Sequence, residues 1–289
     1  MKLAYRTEDG KAPIVYFTKN ISSADLKKAY DALGQKPKGK VGLKVIFEEP
    51  GVHYLPAEMS KDLLMAYKGT FLDSTYIVSP RDTADGSRKV AEEHGFAKVG
   101  PIDILDADGD MDLPVDGKVI KFHRVGAHLK SYQTVISIVP FKAHYIRDYD
   151  GALKGITIPL ASVSGKCNLH SGGTNLSSYQ AADMEVFLQS MADGAKAITT
   201  DKDRQWAFIN VLDAEKPTDK CNDAPSHRDI GILASLDPVA LDQACVDMTF
   251  GQSDPAKQKH WEEIHNVRIL DYAEKSGVGK RHYRLVELK

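Results

Sequence analysis

The side chains best suited to chemistry crowd into residues 136–173, ISIVPFKAHYIRDYDGALKGITIPLASVSGKCNLHSGG. Just past an apolar run come Lys142, His144, Arg147, Asp148 and Asp150; Lys154 follows, and then Lys166, His170, Ser171, Gly172 and Gly173. His144 titrates near neutrality and can be an acid, a base or a metal ligand, although a solvated loop histidine has the same local sequence. His170 reads the same way and is the second metal candidate, but a straight helix between the two would hold them about 20 Å apart. Lys154 either anchors a phosphate or carboxylate in a cleft or lays its stem along the surface. Lys142 and Lys166 add cations. Lys166 with His170, Ser171, Gly172 and Gly173 could offer successive N–H groups to an oxyanion as a nest, a signal that flexible turns share.

Two further groups lie outside that stretch. Lys44 sits inside the apolar run VGLKVIF, where a charge is costly unless paired. Its partner is then either a buried acid or a ligand. Asp223, beside Asn222 in NDAP, is a base or ligand on a loop, or the anchor of an Asx turn. The reading that uses these groups together is a small anionic substrate held by Lys44, Lys142, Lys166, His170, Ser171 and Gly172. His144, Asp223 and Lys154 would then be the catalytic groups.

The elements that must position them alternate. Apolar runs at 14–18, 41–47, 76–79, 135–139, 206–212 and 230–234 read as strands. Between them lie helical patterns: ISSADLKKAYDALG, a helix ending near 68, KVAEEHGF, one over 151–163 and one over 178–198. Near-continuous apolar strands alternating with helices indicate a parallel sheet covered on both faces. Residues 101–125 change texture to Asp/Gly turns and read as an antiparallel hairpin insertion. DADGD within it lacks the glutamate and flanking helices of an EF-hand loop. Asp237–Pro238 opens another helix, an amphipathic helix precedes Gly279, and RHYRLVEL closes as a strand. The expected fold is α/β: a mostly parallel open sheet flanked by helices, in a single domain over 1–289. A split into two lobes near 100–130 would leave a cleft between them.

Composition narrows the function class. With 38 basic and 40 acidic residues the net charge is -2, so no overall field favours nucleic acid or an anionic membrane. No apolar run approaches the roughly 20 residues of a membrane span, and the first residues carry no apolar signal core. Cys167, Cys221 and Cys245 are scattered with no CxxC, which argues against a disulfide framework and an iron–sulfur cluster and fits a reducing, cytoplasmic setting. Walker, dinucleotide GxGxxG and GxSxG patterns are all missing.

At KAH-YIRDYDGALKG-ITIPLAS-VSGK-CNLHSGG, with NDAP and DIGILASLDPVALDQACVD, the chain resembles the family of domain of unknown function 362, often labelled an uncharacterised iron–sulfur centre protein. The resemblance covers nearly the whole chain and implies redox-linked chemistry, with a metal or an external redox partner as electron source. Two departures qualify it. Longer members carry a ferredoxin-like cysteine insertion after the segment matching CNLHSGG, whereas here TNLSSYQAADM follows directly. Members also tend to read His-Phe-Lys-Gly-His where this chain has Pro140, Lys142, Ala143 and His144, so a site built on both histidines would be halved. The alternative to an enzyme is a non-catalytic module that binds a small ligand or a redox partner.

Overall fold

A computed structural model describes residues 3–143, 149–213, 229–250 and 267–289. Its strands, in chain order, are β1 (Ile14–Thr18), β2 (Val41–Lys44), β3 (Thr70–Asp73), β4 (Ile102–Ile104), β5 (Asp110–Pro114), β6 (Phe122–Gly126), β7 (Thr134–Pro140), β8 (Lys142–Ala143), β9 (Tyr149–Asp150), β10 (Gln205–Leu212), β11 (Gly231–Ser235) and β12 (Arg284–Glu287). The helices are α1 (Ser23–Ala32), α2 (Lys61–Tyr67), α3 (Ala84–Glu93), α4 (Phe96–Val99), α5 (Ala152–Gly155), α6 (Val163–His170), α7 (Met184–Thr199), α8 (Pro238–Phe250) and α9 (Arg268–Lys275).

Eight strands form the main sheet in the order β12-β1-β11-β10-β7-β2-β3-β4. All neighbours pair in parallel except β11, which runs antiparallel to both β1 and β10. The expected α/β architecture is the one found. Side chains alternate between two apolar layers. Leu43, Phe71, Ile136, Ile138, Ile209 and Val211 face one, with Leu26, Ala29 and Tyr30 of α1. Val135, Phe208, Leu233, and the inward residues of α5 to α9 build the other. A strand buried on both faces, as β7 is at all its seven positions, belongs in the middle of such a sandwich.

Chain order and sheet order together define one special place. From β2 the chain steps outward to β3 and β4. From β7, on the other side of β2, it steps the opposite way to β10. The carboxyl ends of β2 and β7 are therefore the switch point, where crossovers leave in opposite directions and open a crevice suited to ligands.

Three expectations are corrected, and the antiparallel hairpin, found as expected, takes its bounds from the structure. Residues 76–79 are no strand; the third strand is Thr70–Asp73, and the chain then turns, with the Thr75 amide bonded to Asp106 Oδ1 at 2.8 Å. The hairpin is β5–β6, residues 110–126, while Ile102–Ile104 joins the main sheet beside β3. The helix expected over 151–163 is broken, because Pro159 supplies no N–H and pushes its predecessor from helical geometry. A separate α6 starts after Ser162, whose side chain caps it by accepting from the Gly165 amide. The helix expected from 178 begins at Met184, capped by Asp183. Among the described residues no helix is long and apolar enough to cross a membrane.

Candidate functional site

Four charged side chains meet at the switch point. Glu48 lies four residues past β2, and Lys142 two residues past β7. Lys142 Nζ is 3.3 Å from Glu48 Oε1 and 3.6 Å from Asp150 Oδ2. Asp150, at the end of β9, also pairs with Lys154 on the short helix α5. The side chains of Glu48, Lys142, Asp150 and Lys154 are 17, 9, 9 and 24 % exposed, so they are largely dry yet reachable. Burial raises the proton affinity of Glu48 above the ordinary carboxylate range, and Lys142 opposes that shift. Glu48 also has φ +55°, a left-handed backbone that costs a non-glycine residue on the order of 1 kcal/mol and persists only where surroundings enforce it.

A second, fully buried cluster does the enforcing. Asp73 ends β3 and accepts from the Phe47 amide at 2.9 Å and from Arg81 at 2.7 Å, with Lys44 Nζ at 3.1 Å. Burial works to raise the Asp73 carboxyl, but Lys44, Arg81 and the Phe47 amide outweigh it and hold it below its usual range. Burial lowers the Lys44 ammonium, against the pull of Asp73. Phe47 immediately precedes Glu48, so the buried acid fixes the backbone that turns Glu48 toward Lys142. Lys44 thus takes the buried-acid alternative: its side chain is 0 % exposed and its ammonium also donates to Val45 O.

The opposite wall is set by Asp242 of α8. Its carboxylate accepts from the Ala152 and Leu153 amides at 2.7 and 2.9 Å, from Asn210 Nδ2 at 2.7 Å and from the Tyr149 hydroxyl at 3.1 Å. These bonds seat β9 and the first turn of α5, the pieces that carry Asp150 and Lys154. Gly155 lets α5 close on β7, since a Cβ there would lie 2.5 Å from Val139 Cγ2.

The remaining candidates divide. Lys142 and Lys154 join the site. Lys166 is buried, bonded to Ala161 O, and burial lowers its pKa to about 8. His170 Nδ1 donates to Lys166 O, 2.8 Å away, and its ring stacks on Phe187 at 4.8 Å. Ser171, Gly172 and Gly173 do not form an anion nest. The amides of Gly172 and Gly173 bond to Leu169 O and Asn168 O at 3.2 and 2.8 Å, closing the end of α6, with φ of +66° and +84°. Asp237 caps α8, accepting from the Val239 and Ala240 amides at 2.9 and 3.0 Å. His144, Arg147, Asp148, Cys221, Asn222 and Asp223 lie outside the described residues. No three His, Cys, Asp or Glu side chains are grouped to hold a metal among the described residues. Sequence reasoning passed over Glu48, Asp73 and Arg81. The available signal was position: each acid follows a buried run, as Lys142 follows β7.

A family model described as "Domain of unknown function (DUF362)" matches residues 52–247. The chain belongs to this family. No curated protein matches it. Among solved structures it is similar to the lactate racemase apoprotein from Thermoanaerobacterium thermosaccharolyticum, at 12 % identity and TM-score 0.49, over 82 % of this chain and 57 % of that one. It is also similar to a Thermotoga maritima protein solved by the Northeast Structural Genomics Consortium, at 12 % identity and TM-score 0.48, over 77 % of this chain and 57 % of that one. The chain thus spans just over half the length of each.

Proposed function

We propose that this member of the family is an enzyme that binds a small anionic substrate at the switch point and moves a proton on it. The observation that carries this reading is the Glu48–Lys142–Asp150–Lys154 group at the carboxyl ends of β2 and β7. With both acids ionised the group is neutral. An arriving carboxylate or phosphate competes with Glu48 for Lys142, and a Glu48 that takes up a proton yields that position and becomes a general acid. Glu48 is the proton-handling group, Lys142 and Lys154 are the anchors, and Asp150 orients both lysines. His144 and Asp223 remain in the proposal as further acid–base groups on the strength of sequence. In its redox-linked form the electrons come from an external partner.

The test is to incubate the purified protein with a pool of carboxylated and phosphorylated metabolites and follow depletion by mass spectrometry. Removing a general acid should cut turnover about 100-fold or more, so Glu48→Gln should bind the depleted compound without consuming it. Lys142→Met should lose the binding. Saturable binding without turnover by the wild type would favour the non-catalytic module, and full activity of Glu48→Gln would remove Glu48 from the mechanism.

A further inference from the structure

We propose that a second small-molecule site, for a phosphorylated polyol of sugar-phosphate size, lies between the β5–β6 turn, α7 and α9. The three elements line an open cleft of about 450 Å³, within the range of small-ligand sites, and it shares no lining residue with the switch point. Lys118, Lys196 and Lys275 stand around it. None of the three makes an ion pair among the described residues, whereas Lys19, Lys27 and Lys89 elsewhere on the surface each pair with an acid.

The floor has a different character. Asp193 and Gln189 of α7 are 1 and 7 % exposed and line the cleft. Asp193 Oδ2 holds the turn in place, accepting from the Val119 and Ile120 amides at 2.6 and 3.1 Å. Gly117 makes that approach feasible, as a Cβ there would come within 2.6 Å of Asp193 Cγ. Asp193 Oδ1 has only a 3.4 Å contact from Gln189 Nε2, and that same nitrogen is 3.4 Å from Ser276 Oγ. Both are at the outer limit for a hydrogen bond, so a buried acceptor at the cleft floor is poorly satisfied, a state that proteins normally avoid.

Rim and floor ask for different groups on one ligand. The lysines call for an anion. The floor calls for a hydroxyl donor to Asp193 Oδ1 and would repel a bare anion that settled there. A phosphate at the rim with hydroxyls pointing inward meets both. Lys196 and Lys275 also lie in the last turns of α7 and α9, where helix carbonyls attract cations. That accounts for neither Lys118, which is on the turn, nor the floor.

The experiment is calorimetric titration of the full chain with glucose 6-phosphate, glucose and inorganic phosphate. Glucose 6-phosphate should bind saturably, weaken with added salt, and bind at least about tenfold tighter than either fragment. The double variant Lys118→Gln with Lys275→Gln, which spares the Lys196 contact to Asp116 O, should lose at least about tenfold in affinity at unchanged melting temperature. Lys142→Met should bind as the wild type does. No saturable heat, equal binding of inorganic phosphate, full affinity in the double variant, or loss of binding in Lys142→Met would each overturn the proposal.

Discussion

Asp242 offers the sharpest test of how the site is held. It is fully buried, and burial raises its carboxyl from the ordinary 3.8 to about 6, while its four hydrogen bonds pull the other way. A folded-state pKa above the unfolded one means that the folded protein holds the proton more tightly. The stability that Asp242 contributes is therefore fully present below about pH 4 and is lost as pH rises through about 6. Two units at about 1.4 kcal/mol each make the change on the order of 3 kcal/mol, with no discount for solvent because the group is 0 % exposed. Asn at this position keeps the shape but cannot titrate, and its NH₂ must face donors on Ala152, Leu153, Asn210 and Tyr149. Asp242→Asn should thus be destabilising, and the gap to wild type should shrink by roughly 3 kcal/mol between pH 4 and pH 7. Urea denaturation of both proteins across that range measures it, and other titrating groups cancel in the difference. A gap independent of pH would show that the carboxyl is not raised. A gap that widens toward neutrality would show that the four donors outweigh burial, and the reasoning would fail.

Two further substitutions probe the floor of the crevice. Glu48→Gly relieves a left-handed backbone costing about 1–2 kcal/mol in a non-glycine residue, so the melting temperature should hold or rise while turnover on the depleted metabolite disappears. A fall of several degrees would mean that the Glu48 side chain stabilises more than its backbone costs. Lys44→Met removes one partner of a buried pair, a change that typically costs about 3–5 kcal/mol. Because Arg81 stays on Asp73, the lower end is expected in chemical denaturation, and a loss under about 1 kcal/mol would show that Asp73 does not need Lys44.

The fold was legible because β2, β7 and β10 are mostly apolar runs buried on both faces, the pattern of strands inside a covered parallel sheet. The elements misread were those where a local cue competes with periodicity. YIVS is as strand-like as TFLD in composition, but only the latter has the partners that complete a ladder, β2 on one side and β4 on the other. Around Pro159 the apolar spacing of residues 151–163 has the helical period, but proline sterics end the helix there.

The site was half legible, and the division has a physical cause. A lysine in an apolar run announces itself, because a buried charge is anomalous wherever its partner is; Lys44 was noticed for that reason. Its partner Asp73 is 29 positions away and adjacent only because β3 lies beside β2. The same holds for Glu48 and Lys142, brought together by the β2–β7 pairing although they are 94 positions apart in the chain. Sequence shows which groups would be costly to bury alone; sheet order decides which acids answer them. The order also explains why the strained residue is Glu48. Asp73 must reach across to the Phe47 amide to satisfy itself, and that bond turns the next residue back over the crevice toward Lys142. Stability of the buried cluster and orientation of the proposed acid are therefore one property of the fold. Loss of Lys44 should then disturb the proton affinity of Glu48 as well as the denaturation midpoint, even though the two side chains serve different clusters.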